Sequence, residues 1–149
     1  MQLRHISSYL IWYCSQKNSP VAIQLLHEVI LLIGNFVSLN KENQVFYRKS
    51  MKPFIIFFSK FKTVIQLGQR PTILQQLCSL PFEYFSDDKL TEILFPTLIV
   101  ACFLNDDNRA ILEQEMSTMM LVTFIESTIV DMQLNAVNAI NTPPKSLGN

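Results

Sequence analysis

Glycine is nearly missing from this chain. Its 149 residues hold three, Gly34, Gly68 and Gly148. Three glycines are too few for a phosphate-cradling loop, and no G-x-G-x-x-G, Walker A or G-x-S-x-G pattern occurs. Metal ligands are equally sparse. His5 and His27 are the two histidines, and no C-x-x-C or H-x-x-x-H pair brings four zinc ligands to workable spacing. Charged residues make up only 16% against 49% hydrophobic ones, the reverse of a disordered tail. Strand-like alternation at period two is scarce, which favours an all-helical chain. No Asn-x-Ser/Thr glycosylation acceptor is present, and Cys14, Cys78 and Cys102 are odd in number, widely spaced and set in apolar surroundings. They read as buried, reduced thiols of a cytosolic protein rather than a disulfide framework.

Acids are missing from one long stretch. Net charge is zero, yet no Asp or Glu lies between Asn43 and Phe82, where Arg48, Lys49, Lys52, Lys60, Lys62 and Arg70 fall. From Glu83 onward acids dominate. Such a dipolar molecule can offer a basic patch to RNA or anionic lipid, although solvated helix faces give the same pattern.

What the chain does contain is a repeat. Leu104-Asn105-Asp106-Asp107-Asn108 echoes Leu39-Asn40-Lys41-Glu42-Asn43, 65 positions earlier, with the same Leu-Asn-x-x-Asn core. Further along, Ile111-Leu112-Glu113 matches Val64-Ile65-Gln66 at an offset of only 47. The first copy therefore carries about 18 extra residues, 45–62. Without them the period of 47 lies at the edge of the roughly 40–47 residues of armadillo and HEAT units. The expected fold is all-α, two to three armadillo/HEAT-like units of an α-solenoid. A helical or unordered lead-in occupies 1–20, the repeat domain 21–127, and a weakly ordered tail 128–149. The segment 45–62 is aromatic and basic, unlike its surroundings. It reads as a partner-docking loop, as an extra helical hairpin around Pro53, or as translated AT-rich non-coding sequence, the reading that Phe54-Ile55-Ile56-Phe57-Phe58 with scattered lysines favours.

The spacing predicts a helix over 1–16, with Ile6, Tyr9, Leu10 and Tyr13 three and four apart. Ser19 as N-cap and Pro20 at the first helical position open a second, running to Val37. That segment is long enough to span a bilayer, but Gln24, His27, Glu28 and Asn35 form one polar stripe, and a carboxylate in mid-span is expensive. A helix buried on most sides fits better. Residues 40–44 read as a loop, 71–79 as a helix with Pro71 in its first turn, and 82–85 as an aromatic turn. Ser86, Asp87 or Asp88 caps a helix over 89–103 that Pro96 should kink or divide. Asp107 or Asn108 caps one over 109–126, with Ile111, Leu112, Met116, Met119, Met120 and Phe124 on one face. Beyond Ser127 the helical signal weakens.

No catalytic constellation emerges. His27 and Glu28 are adjacent and point about 100° apart on a helix. Asp87-Asp88 and Asp106-Asp107 sit where helix caps are needed. The reading is a non-enzymatic chain with no cofactor, no metal and no small-molecule substrate. Phe82, Tyr84 and Phe85, aromatic and between two helices, are the candidate protein-docking residues. Arg48, Lys49, Lys52, Lys60, Lys62 and Arg70 are the candidate nucleic-acid contacts.

Several segments together carry a resemblance: Leu25-Leu26-His27-Glu28-Val29-Ile30, Pro71-Thr72-Ile73-Leu74-Gln75-Gln76-Leu77-Cys78, Leu80-Pro81-Phe82-Glu83-Tyr84-Phe85-Ser86-Asp87, Leu94-Phe95-Pro96-Thr97-Leu98-Ile99 and Ile111-Leu112-Glu113-Gln114-Glu115-Met116-Ser117. Over 25–126, with 45–62 as a departure, the chain resembles the C-terminal region of the SCAPER family, S-phase cyclin A-associated proteins of the endoplasmic reticulum. The resemblance implies a cytoplasmic adaptor at the endoplasmic reticulum surface, docked on the rest of a larger parent chain. The family is associated with retaining cyclin A–kinase complexes in the cytoplasm. It is also associated with ribosome-linked decay of tubulin messages, through contacts with a tetratricopeptide adaptor and the ribosome, including a possible rRNA contact. The family's zinc finger and cyclin-binding region lie outside the matching segment, so neither is expected here.

Overall fold

A computed structural model describes residues 2–38, 40–48 and 71–141. The described residues are all-helical and divide into two units, Met1–Met116 and Ser117–Asn149. The first unit contains α1 (Gln2–Ser15), α2 (Pro20–Val37), α3 (Lys41–Arg48), α4 (Ile73–Cys78), α5 (Glu83–Ser86), α6 (Asp88–Cys102) and α7 (Asp106–Glu115). The second contains α8 (Met119–Asn141).

Caps in the sequence set most of the boundaries. Ser19 is the N-cap of α2, its hydroxyl accepting from the Ala22 N–H at 3.2 Å, with Pro20 at the head of the helix. Asp87 caps α6, its carboxylate accepting from the backbone of Lys89 and Leu90. In α4 the start differs from the expectation. Thr72 and Gln75 form a capping box, with the Thr72 side chain bonded to the Gln75 N–H and the Gln75 side chain to the Thr72 N–H. The reciprocal pair satisfies two helix-end donors, so Pro71 stays outside the helix. Residues 83–86 close into a helical turn rather than an open one. Pro96 leaves α6 undivided from Asp88 to Cys102.

Two boundaries move further. The segment read as a loop at 40–44 is the start of α3, with Asn40 as cap: its Oδ1 accepts from the Asn43 N–H at 3.0 Å. Helix α3 runs to Arg48, so the first four residues assigned to the insert continue the repeat. Residues 49–62, the rest of that segment, lie outside the described residues, as do 63–70. Likewise α7 is capped by Asn105, not by Asp107 or Asn108. The Asn105 Oδ1 accepts from the Asn108 N–H at 3.1 Å. The helix expected over 109–126 is broken at Met116, whose extended backbone (φ −152°, ψ 161°) ends α7. A new helix, α8, then continues past Ser127 to Asn141.

The core of the first unit is the pair α2 and α6, its most extensive helix–helix packing. Leu26, Val29, Ile30, Ile33 and Val37 bury one face of α2, and Leu94, Phe95, Leu98 and Ala101 one face of α6. Each of these side chains larger than alanine contributes roughly 1.5–3 kcal/mol by leaving water. The crossing is close at Gly34. A Cβ there would lie 2.5 Å from Thr97 Oγ1, and that hydroxyl donates to the Ile30 carbonyl at 3.1 Å. A mid-helix glycine costs about 1 kcal/mol relative to alanine, and the approach of Thr97 is its structural reason. Helix α1 packs on α2 and α4, and α5 packs on α6.

Candidate interaction site

The repeated motif builds one device twice. In the first copy Asn40 caps α3, and the Asn43 side-chain amide donates back to the Phe36 carbonyl at 2.6 Å. In the second Asn105 caps α7, and the Asn108 amide donates back to the Ala101 carbonyl at 2.7 Å. Each amide reaches seven residues back, to the last turn of the preceding helix, where carbonyls lack helical partners. Asparagine suits the place because one side chain both fits a tight turn and donates two N–H bonds. The next residue joins the copies. Gln44, 1% exposed, donates from Nε2 to the Val100 and Phe103 carbonyls at 2.9 and 3.1 Å, and its Oε1 accepts from Asn105 Nδ2 at 3.2 Å. Its counterpart in the second copy, Arg109, is exposed and pairs with Asp106 at 3.2 Å. Beside this network Leu104 has a left-handed backbone (φ 53°).

The three aromatic residues expected to dock a partner separate. Phe82 points into solvent, 74% exposed. Tyr84 is buried edge-on to His27, ring centroids 5.7 Å apart, and Phe85 is half-buried against Phe95 at 6.3 Å. Of the basic set, Arg48 ends α3, while its side chain and Lys49, Lys52, Lys60, Lys62 and Arg70 lie outside the described residues.

Helix α1 departs most from the sequence reading. It forms as expected, but it buries Ser7, Ser8, Ile11 and Cys14, while Ile6, Tyr9, Trp12 and Tyr13 face outward at 42–57% exposure. Tyr9 stacks on Tyr13 and tilts against Trp12, both at 6.0 Å, and the Lys17 ammonium sits 5.7 Å over the Tyr13 ring. The available signal was the Ser7-Ser8 pair. Small side chains permit close packing on a neighbouring helix, and a row of long aromatics does not. Helix α2 is the one described helix long and apolar enough to cross a membrane by length and composition. In this fold it packs on α1 and α6 but is not buried on most sides as expected: the two neighbours cover one face, and Val21, Ile23, Leu25, Leu31 and Leu32 stay exposed. Gln24, Glu28 and Asn35 of its polar stripe are exposed and His27 is half-buried.

Burial tunes the titratable groups. It pushes the Cys78 thiol up to about 12, helped by Glu115 and Cys102, and the Cys102 thiol to about 11 against the opposing pull of Arg109. Cys14 is raised by burial as well. Thiolates are the reactive species, so native protein at pH 8 should react with Ellman's reagent far more slowly than urea-unfolded protein, which should release all three thiols. Equal rates would show that the thiols are accessible and ordinary. His27 moves the other way: burial lowers its pKa from 6.5, with Glu28 opposing. The unfolded chain then takes the proton first as pH falls. Stability linked to His27 is complete above about pH 6.5 and lost below it as pH falls through the folded value. Chemical denaturation midpoints from pH 7.5 to 5 should drop for the native chain and drop less for His27→Gln. Parallel slopes would assign the acid sensitivity to other groups.

No family model matches the chain. Over 126 residues it is 43% identical to the human S phase cyclin A-associated protein in the endoplasmic reticulum. The chain is similar to one segment of that protein. The match takes in 85% of this chain and 8% of the relative, so the chain spans a small part of the human protein's length. An identity of this size over most of the chain bears out the resemblance read from Leu25-Leu26-His27-Glu28 and the segments that follow it.

Proposed function

We propose that the chain is a non-enzymatic adaptor module, part of an armadillo/HEAT-like solenoid in a larger regulator related to the human cyclin A-associated protein. Its place in this reading is the cytoplasmic surface of the endoplasmic reticulum; the relative's name puts that protein in the endoplasmic reticulum. The observation that carries the scaffold reading is the doubled asparagine device at Asn40/Asn43 and Asn105/Asn108, with Gln44 tying the copies together. Units that stack through such a seam bury a continuous core and present an extended face to partners. Raised thiols at Cys78 and Cys102 also fit a structural role better than a nucleophilic one. The partners in this reading are proteins: a tetratricopeptide adaptor or the ribosome, in message decay, and cyclin A complexes through the parent chain.

The test is an affinity pull-down of the full chain from cytosolic lysate, with and without RNase, and with 45–62 present or deleted. Retention of tetratricopeptide or ribosomal proteins after both treatments is the expected result. Retention that vanishes with RNase or with the deletion would replace it with an RNA contact through Arg48, Lys49, Lys52, Lys60, Lys62 and Arg70. Phosphate contacts of that kind weaken steeply with salt.

A further inference from the structure

Helix α1 is amphipathic in the unusual sense. Its buried face holds two serines, an isoleucine and a cysteine, and its solvent face holds Ile6, Tyr9, Trp12 and Tyr13. Tyrosine and tryptophan have an apolar body and a polar tip, which suits them to the boundary between hydrocarbon and water. Charge on this part of the chain has one sign. The first acid in the sequence is Glu28, so the 27 residues before it carry Arg4 and Lys17 without a carboxylate. Helix α4, which packs on α1, has no acid either, and α2, which also packs on α1, brings the single carboxylate of Glu28. Lys17 lies against the aromatic row itself, over Tyr13. An exposed aromatic stripe with a lysine at its edge suits a helix that lies in the headgroup layer of a bilayer, the lysine favouring anionic lipid.

We propose that α1 is an interfacial membrane-contact helix, seating Ile6, Tyr9, Trp12 and Tyr13 in the headgroup region of an anionic membrane with Lys17 at its rim. The helix lies on the surface and does not span it, because Ser7, Ser8, Ile11 and Cys14 hold its other face on the protein. This deepens the location given above: it supplies a physical contact for residence at the endoplasmic reticulum.

Trp12 is the single tryptophan, so its fluorescence reports on this surface alone. The full 149-residue chain is mixed with vesicles of phosphatidylcholine, with and without phosphatidylinositol. Expected are a blue shift and protection from acrylamide quenching with the phosphatidylinositol vesicles, together with co-sedimentation that weakens as salt rises. Tyr9→Ser with Tyr13→Ser should lower vesicle affinity by about tenfold. Lys17→Glu should lower it by roughly fivefold or more. All three side chains are exposed, and circular dichroism melts confirm that the variants stay folded. Trp12 emission unchanged by phosphatidylinositol vesicles, or shifted equally by both kinds, overturns the proposal. So does a lysate protein that protects Trp12 when vesicles do not, which would assign the stripe to a protein partner. The location reading fails separately, when the parent protein fractionates away from endoplasmic reticulum membranes in cells.

Discussion

Gly34→Ala is expected to destabilise the first unit by about 2 kcal/mol, although alanine is the better helix former. Three effects compete. Alanine gains about 1 kcal/mol of helix propensity. Against it stands the overpacking of a methyl group placed 2.5 Å from Thr97 Oγ1, typically about 1–3 kcal/mol. The third is the Thr97–Ile30 hydrogen bond, worth roughly 1 kcal/mol net, which any shift of Thr97 breaks. Threonine cannot swing aside cheaply, because its β-branched side chain puts a second heavy atom into the vacated position. The Thr97→Ala change removes the colliding oxygen, so the double variant should be more stable than Gly34→Ala alone. A double-mutant cycle by urea unfolding reads this as strong non-additivity. Simple addition of the two single effects would mean that the helices do not approach as closely as described.

Gln44→Leu is the second large effect, about 3 kcal/mol. The substitution keeps the volume nearly constant but strips the Val100 and Phe103 carbonyls and the Asn105 amide of their shared partner. Buried groups left unpaired cost more than the net value of the bonds removed. The damage falls beside Leu104, whose left-handed backbone costs roughly 1–2 kcal/mol and is flanked by the carbonyl that Gln44 holds. Arg109→Ala, at the equivalent position of the second copy, should change stability by less than about 0.5 kcal/mol, since Arg109 and Asp106 are exposed. Denaturation curves of the two variants side by side decide the matter. Similar losses would mean that Gln44 is not a seam between the copies.

The sequence was most legible where a cap or a long apolar pattern acts locally. Ser19-Pro20 and Asp87 start their helices where expected because the side chain that ends one segment bonds the first free amides of the next. The repeat itself was legible, and Leu-Asn-x-x-Asn marks the same turn in both copies. Its mechanism was not. An asparagine can cap through its own oxygen or reach back through its amide, and only the packed neighbour decides which, so Asp107 and Asn108 were equally good candidates for the work of Asn105. The orientation of α1 was illegible for a related reason. Helical spacing identifies faces, and Ile6, Tyr9, Leu10 and Tyr13 do line up. Which face turns inward depends on how closely α2 and α4 approach, and two serines allow a distance that two tyrosines forbid. Of the three aromatic docking candidates, Tyr84 and Phe85 found partners inside the fold in His27 and Phe95, and only Phe82 is left outside.

The two reach-back asparagines have a genetic consequence. A hairpin whose turn is closed by its own side chain, Asn43 to Phe36 or Asn108 to Ala101, carries part of what bends it within itself. A stretch of DNA encoding such a hairpin can be duplicated and arrive already competent to fold. Selection then has only the boundary between copies left to rewrite. Gln44 faces inward in one copy and Arg109 faces water in the other, the difference such a boundary would carry. Chains assembled in this way can lengthen by addition.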